Sequence, residues 1–174
     1  MQASPFESDA ALGSRRAIIR RNPADMQEVE MVEAAWGLAP FDPGGRPFKF
    51  VRSEGRTFPD RRCLVPASEF HVRANDRRFR VTLDDGNFFY LAGLWLPPEG
   101  NWPLSYAVIT TEANPDVLRY QERQGAVLLR RQTMAWLDLP PSEAELLVPL
   151  PPRSFRVEEI APRHAALRDS ELAL

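Results

Sequence analysis

A chain of 174 residues, 44% of them hydrophobic and 26% charged, is long enough to bury one apolar core, and this balance excludes a disordered polymer. Net charge is −2, but 21 of the 22 basic residues are arginine and Lys49 is the only lysine, so charge by itself does not identify a nucleic-acid partner. The single cysteine, Cys63, and two histidines, His71 and His164, exclude a disulfide framework and are too few for a zinc site; nothing in the pattern calls for a metal or a cofactor.

No run approaches the roughly 18 apolar residues of a spanning helix, and the opening MQASPFESDAALG is unlike a secretory leader, so the expectation is a cytoplasmic chain without membrane contact. Residues 1–14 lack periodicity and are expected to form a mobile tail. A single domain over 15–162 follows, and 163–174 read as a polar C-terminal tail.

From Arg15, RRAIIRRNPADMQEVEMVEAAWGLAP carries a turn at Asn22-Pro23 and alternation in EVEMVEAAW, which predicts a two-stranded hairpin. FDPGGRPFKFVRSEGRTFPDRR is rich in Pro, Gly and Arg and reads as an exposed connection. CLVPASEF predicts a short strand with an end or bulge at Pro66. RRFRVTL and FFYLAGLWL are separated by Asp84-Asp85-Gly86-Asn87, residues that accept positive φ, and read as a second hairpin. SYAVITTEA adds a strand with alternating faces. Asn114-Pro115 reads as a cap and first residue of a helix running to about Glu122 and ended by Gly125. RRQTMAWLDLPPSEAELLVPL predicts two short helices broken at Pro140-Pro141, with Ser142 and Glu145 as a capping box, and SFRVEEI a last strand. The sum is an α+β domain, a mainly antiparallel, barrel-like sheet with a few short helices.

Four stretches in order, WGLAP from Trp36, RSEGRTF…RRCLVPASEF from Arg52 to Phe70, LAGLW from Leu91 and ITTEAN from Ile109, resemble the SOS response-associated peptidase family, whose members shield abasic sites in single-stranded DNA. MAWLDL and SFRVEEI match it in position. The resemblance implies chemistry that begins at an N-terminal cysteine, whose thiol and α-amine close a ring on the abasic aldehyde. Here the second residue is Gln2, and fewer residues precede the tryptophan motif than in the family. The resemblance also implies an asparagine where Phe50 stands, a catalytic glutamate at Val72 and a histidine at Gln121. Phe50 and Val72 move no proton, and neutral Gln121 orients but does not act as an acid or base. No residue is therefore assigned a catalytic role, and the expectation is a degenerate family member.

Two arginines that the family sets against DNA phosphates do match, Arg52 and Arg123, and the guanidinium fork suits that contact. Arg52 paired with Glu54 to hold the loop, and Arg123 as an exposed helix-end charge, are the structural alternatives. Arg61 and Arg62, with Arg77, Arg78 and Arg80, would widen a basic surface or mark a solvated strand face. Trp102, in the loop PPEGNWPL, is placed to stack on a base or meet a partner protein, whereas Trp36 and Trp95 read as core. Cys63 reads as a small buried residue and His71 as structural; Lys49 is a loop cation or, as a rival, a Schiff-base amine. The expected function is non-covalent binding of single-stranded or damaged DNA, or of a repair protein. The alternatives are a protein-interaction module with its former site closed by Phe50 and Val72, and residual abasic-site processing through Lys49 or Cys63.

Overall fold

The computed structural model describes residues 3–40, 42–138 and 143–161, except the side chain of Ala144. Strands β1 (Arg15–Asn22) and β2 (Asp25–Trp36) form the expected hairpin, and in its turn the Ala24 N–H donates to Asn22 Oδ1 at 2.9 Å. Further strands are β3 (Phe50–Arg52), β4 (Arg62–Ala67), β5 (Phe70–Ala74), β6 (Arg77–Leu83), β7 (Phe89–Leu96), β8 (Ser105–Glu112), β9 (Arg123–Gly125), β10 (Val127–Leu128) and β11 (Phe155–Ile160). Pairing runs β7-β4-β1-β2-β8, and β8 pairs again with β7, so these strands close into a barrel. Strands β3 and β9 join the same sheet beside β8 and β10 beside β7, while β5, β6 and β11 make a separate antiparallel sheet. A barrel-like sheet with few short helices is what the sequence predicts.

Strand β8 organises the barrel. Its run SYAVITT, expected to alternate, is instead buried on both faces, as suits a strand with parallel neighbours. Each of its edges changes partner along its length. One edge pairs in parallel with β2 at Ser105 and Tyr106 and then with β3 from Val108 to Thr110; the other pairs with β7 and then, from Thr110, with β9. The barrel therefore splays open around Thr110.

Three local expectations change. The Asp84–Asn87 turn exists, with Gly86 at φ 77°, but it carries the chain from one sheet to the other rather than closing a hairpin. The hairpin lies at Asn75-Asp76, whose φ values of 52° and 63° fit a two-residue type I′ turn between β5 and β6. Helix α1 (Pro115–Leu118) is capped by Asn114 Oδ1 on the Val117 N–H, as expected, but stops short of Glu122 because the chain is needed as β9 against β8. Gly125 does not terminate a helix; a Cβ there would lie 3.0 Å from the Leu91 side chain, so the residue is glycine for close approach.

The N-terminal segment, expected to be mobile, is packed. Phe6 is 6% exposed, its N–H donates to Glu69 O at 2.8 Å, and its ring meets Trp36 edge-on at 5.5 Å. A buried aromatic together with backbone bonds to both sheets docks a segment without periodicity. Pro66 sits in β4 beyond the last residue paired with β1, Leu64, so its missing N–H costs that side no bond. Helices α2 (Thr133–Leu137) and α3 (Glu143–Leu146) follow a short 3₁₀ turn at Arg130–Gln132; the break at Pro140-Pro141 and the Ser142 cap lie outside the described residues.

Candidate functional site

The splay around Thr110 leaves a cleft of about 400 Å³, walled by β3, β8 and β9 on one side and by β5 and the N-terminal segment on the other. Strand alternation puts Phe50 and Arg52 on one face of β3, into this cleft, while Val51 between them packs against the core under α2. Phe50 is 38% exposed and stands edge-on to Trp36 at 5.3 Å. Arg52 is exposed, and no hydrogen bond or ion pair engages its side chain among the described residues. Arg123 is more committed. Its Nη2 donates to Thr110 O at 2.9 Å, and its guanidinium grips Glu54 through two bonds. The hydrogen bond from Arg123 holds the Glu54 carboxyl below its ordinary pKa.

The three positions read as a degenerate former site part company. Phe50 and Gln121 line the cleft, and Gln121 Nε2 donates to Arg123 O at 2.6 Å, which fixes its amide. Val72 does not line it; at 1% exposure it sits in the core, paired across the sheet with Phe79. Its neighbour His71 takes the place on the cleft wall. His71 Nε2 lies 2.6 Å from Glu69 Oε2, which also accepts from Arg80 Nε at 2.8 Å, and Nδ1 is 3.5 Å from Glu7 Oε1. Burial alone would raise the Glu69 pKa, but the bonds from His71 and Arg80 outweigh it and lower it. The imidazole is thus held to Glu69 through Nε2, while Nδ1 is buried without a hydrogen-bond partner among the described residues. Gln2 lies outside the described residues.

Several sequence-predicted contacts are corrected. Arg62 is 4% exposed: it donates to Phe58 O, Trp136 O and Glu143 Oε1, and its guanidinium stacks 4.3 Å from the Trp136 ring centroid. It is an internal pin and cannot meet DNA. Trp102 is half-buried with its indole donating to Gly37 O at 3.3 Å, so the ring is not a free platform. Arg61 is exposed but lines another pocket, beside Arg20 and Trp95, away from the cleft. Arg77, Arg78 and Arg80 are paired with Glu159, Asp9 and Glu69.

Lys49 and Cys63 do not reach the cleft either. Lys49 Nζ donates to Ala10 O at 3.1 Å on the N-terminal segment. Cys63 has no exposed surface, and burial pushes its thiol pKa far up, which keeps it protonated and inert. Trp36 and Trp95 are buried, as expected. Among the described residues no group of three His, Cys, Asp or Glu could hold a metal, and no helix is long and apolar enough to cross a membrane.

Sequence reasoning missed Phe6, Ser8 and Thr110 as cleft residues, and it is Arg123, not Arg52 of the structural alternative, that hydrogen-bonds Glu54. Thr110 was within reach, since ITTEAN had already been singled out; the Glu54–Arg123 contact spans 69 positions and left no local signal.

A family profile described as "SOS response associated peptidase (SRAP)" matches residues 4–163. Two curated relatives, each called "Abasic site processing protein YoqW", from Bacillus subtilis (strain 168) and Bacillus phage SPbeta, are 26% identical over 125 residues. The match takes in 59% of this chain and 55% of theirs, so it spans about half of their length. A crystal structure of a Bordetella bronchiseptica protein shares the fold with a TM-score of 0.70 at 24% identity, covering 92% of both chains. One from Bacteroides thetaiotaomicron gives 0.68 at 20%, covering 88% of this chain and 77% of that one. The profile match takes in all eleven strands described above and the cleft between them, and the chain belongs to the SOS response associated peptidase family.

Proposed function

We propose that this protein binds single-stranded or abasic-site DNA in the cleft without forming a covalent bond to it. The observation that carries the reading is the pairing of Phe50 and Arg52 on one face of β3 at the cleft: an exposed ring for a base and an uncommitted guanidinium for the adjoining phosphate. Arg123 lies on the same wall, bonded to Thr110, the residue that Arg52 pairs with. The non-covalent part rests on the residues that would have to do chemistry. Where the family resemblance puts an amide, a carboxylate and an imidazole, the cleft has a phenyl ring, a residue withdrawn into the core and a glutamine bonded to the backbone. The curated relatives carry the name of abasic-site processing, which agrees with DNA as the ligand class. Action on DNA suits a cytoplasmic protein.

A protein-interaction module is the second reading, favoured by one observation, the neutralisation of Arg123 by Glu54. Its other premise, a closed site, fits less well, because Phe50 rims an open cleft instead of filling it. Catalysis through Lys49 or Cys63 has no support in their placement.

Fluorescence anisotropy with a short single-stranded oligonucleotide at low salt, where phosphate contacts are strongest, tests the proposal. Binding that weakens as salt rises is expected, together with no heat-stable or borohydride-trapped adduct on an abasic oligonucleotide. Undetectable binding at low salt removes the DNA reading, and an adduct removes the non-covalent one.

A further inference from the structure

Strand β2 outruns its partner on one side. Toward β1 it is paired residue by residue from Ala35 to Val29, but on its other side only Ala35 and Trp36 meet β8. The Ala35 N–H points to that other side, donating to Leu104 O at 2.9 Å, while the Trp36 N–H points back to Ser14 O. Main-chain groups of an antiparallel strand alternate in direction, so Val29, Met31 and Glu33 also turn their N–H and C=O groups away from β1. No group among the described residues bonds to them there, and all three residues are exposed, Met31 at 48% and Val29 at 43%.

A groove of about 580 Å³ flanks this open stretch. Leu104, which ends the paired part of the edge, is on its wall, and so is Met26, 58% exposed near the other end of β2. Trp95, Pro97 and Pro98 add apolar surface, and Arg20 stacks on the Trp95 ring at 4.3 Å. Asp60 and Arg61, also on the wall, cancel in charge.

An open row of N–H and C=O groups pairs readily with another extended chain, and proteins blunt such edges with prolines, bulges or charges. Here the device is charge of one sign. Residues 25–33, DMQEVEMVE, hold four carboxylates and no basic residue. Glu30 and Glu33 are paired with Arg20 and Arg15 of β1, but Glu28 is exposed and has no ion pair among the described residues. A second copy of the chain would bring four more carboxylates to the edge and is repelled, whereas a basic segment is attracted.

We infer that the open edge of β2 and the groove beside it dock an extended basic segment of a partner protein. The segment pairs through its backbone with Val29, Met31 and Glu33, sets lysine or arginine against the acids of β2 and puts an apolar side chain into the groove. Backbone pairing supplies affinity, and the acids and the groove select the side chains. The groove and the DNA cleft share no residue, so the inference is independent of what the cleft binds.

The test is a titration of the ¹⁵N-labelled chain at low salt with three end-blocked peptides: alternating lysine and valine, its fully N-methylated copy, and alternating glutamate and valine. The methylated copy has the same charge and side chains but no N–H to donate. Saturable shifts of the Val29, Met31 and Glu33 amides with the lysine–valine peptide, and slowed hydrogen exchange at all three, are expected; the other two peptides should give neither. Met31→Pro removes an N–H that the folded chain leaves unbonded, a change that edge strands tolerate, and should weaken binding about tenfold. If that variant does not fold, Glu28→Lys, at an exposed side chain, should weaken binding about threefold. No saturable binding of the lysine–valine peptide, equal binding of its methylated copy, shifts that spare these three amides, or full affinity in the variants overturns the site and leaves the acids as a guard against pairing.

Discussion

Arg123 and Glu54 meet as a two-pronged ion pair at the edge of the cleft, Nη1 to Oε1 at 3.0 Å and Nη2 to Oε2 at 2.8 Å. The Glu54 side chain is half exposed, and exposed pairs of this kind contribute only about 0–1 kcal/mol. A phosphate can therefore replace the carboxylate at little cost. Glu54→Gln removes the competitor and should raise affinity for single-stranded DNA about threefold or more, with the slope of log K against log salt steeper by about 0.7, one added phosphate contact. An anisotropy series across salt concentrations reads both quantities.

Phe50 and Arg52 contribute differently, and the salt series separates them. Phe50→Ala should cost about 1–3 kcal/mol of DNA affinity with the salt slope unchanged, the mark of lost stacking. Arg52→Ala should flatten the slope by about 0.7. Neither change should lower the melting temperature by much, since Phe50 gives up one edge-on contact with Trp36 and Arg52 no bond to the described residues.

Arg62 behaves in the opposite way. Its three acceptors and its stacking on Trp136 join β4 to the segments before and after it in sequence, so Arg62→Ala should destabilise the fold by about 3 kcal/mol. Denaturant titration measures this loss. DNA affinity of the folded variant should equal that of the parent, although Arg62 is one residue from an exposed arginine in sequence.

Acid should loosen β11 through Asp116. Burial would raise its pKa, but the N–H groups of Arg153 and Phe155 and the Asn114 amide outweigh that, and the folded-state value lies below the ordinary 3.8. A depressed carboxyl stabilises the fold above its unfolded pKa and loses that contribution as pH falls through the folded value. Thermal melts should thus be flat above about pH 5 and fall below about pH 4. Asp116→Ala should lower stability near neutral pH by about 1–3 kcal/mol and shrink the acid-dependent loss.

Much of the fold was legible because it is written locally. The alternation in β2 and the Asn114-Pro115 cap each act within a few residues. The cleft was legible in part. Phe50, Arg52, Gln121 and Arg123 were singled out in the sequence and do converge on it. What sequence reasoning missed depends on distance along the chain. The turn at Asp84–Asn87 has hairpin residues, but only the competing partners of β6 and β7 decide that it joins two sheets. Arg61 and Arg62 look alike in sequence, yet strand pairing sends Arg62 inward to an acid 81 positions away and leaves Arg61 in solvent.

The docking of residues 3–14 links ligand occupancy to the mechanical integrity of the whole molecule. Phe6 belongs at once to the wall of the cleft and, through its backbone bond to Glu69, to the three-stranded sheet. Asp9 adds ion pairs to Arg73 and Arg78 on that sheet, while Gly13 and Ser14 are bonded to Trp36 on the barrel. The segment is thus a suture between two sheets as well as a lining. A guest that binds with Phe6 in place would tighten the seam and raise the melting temperature; one that must displace Phe6 would give up part of its affinity to undo those bonds.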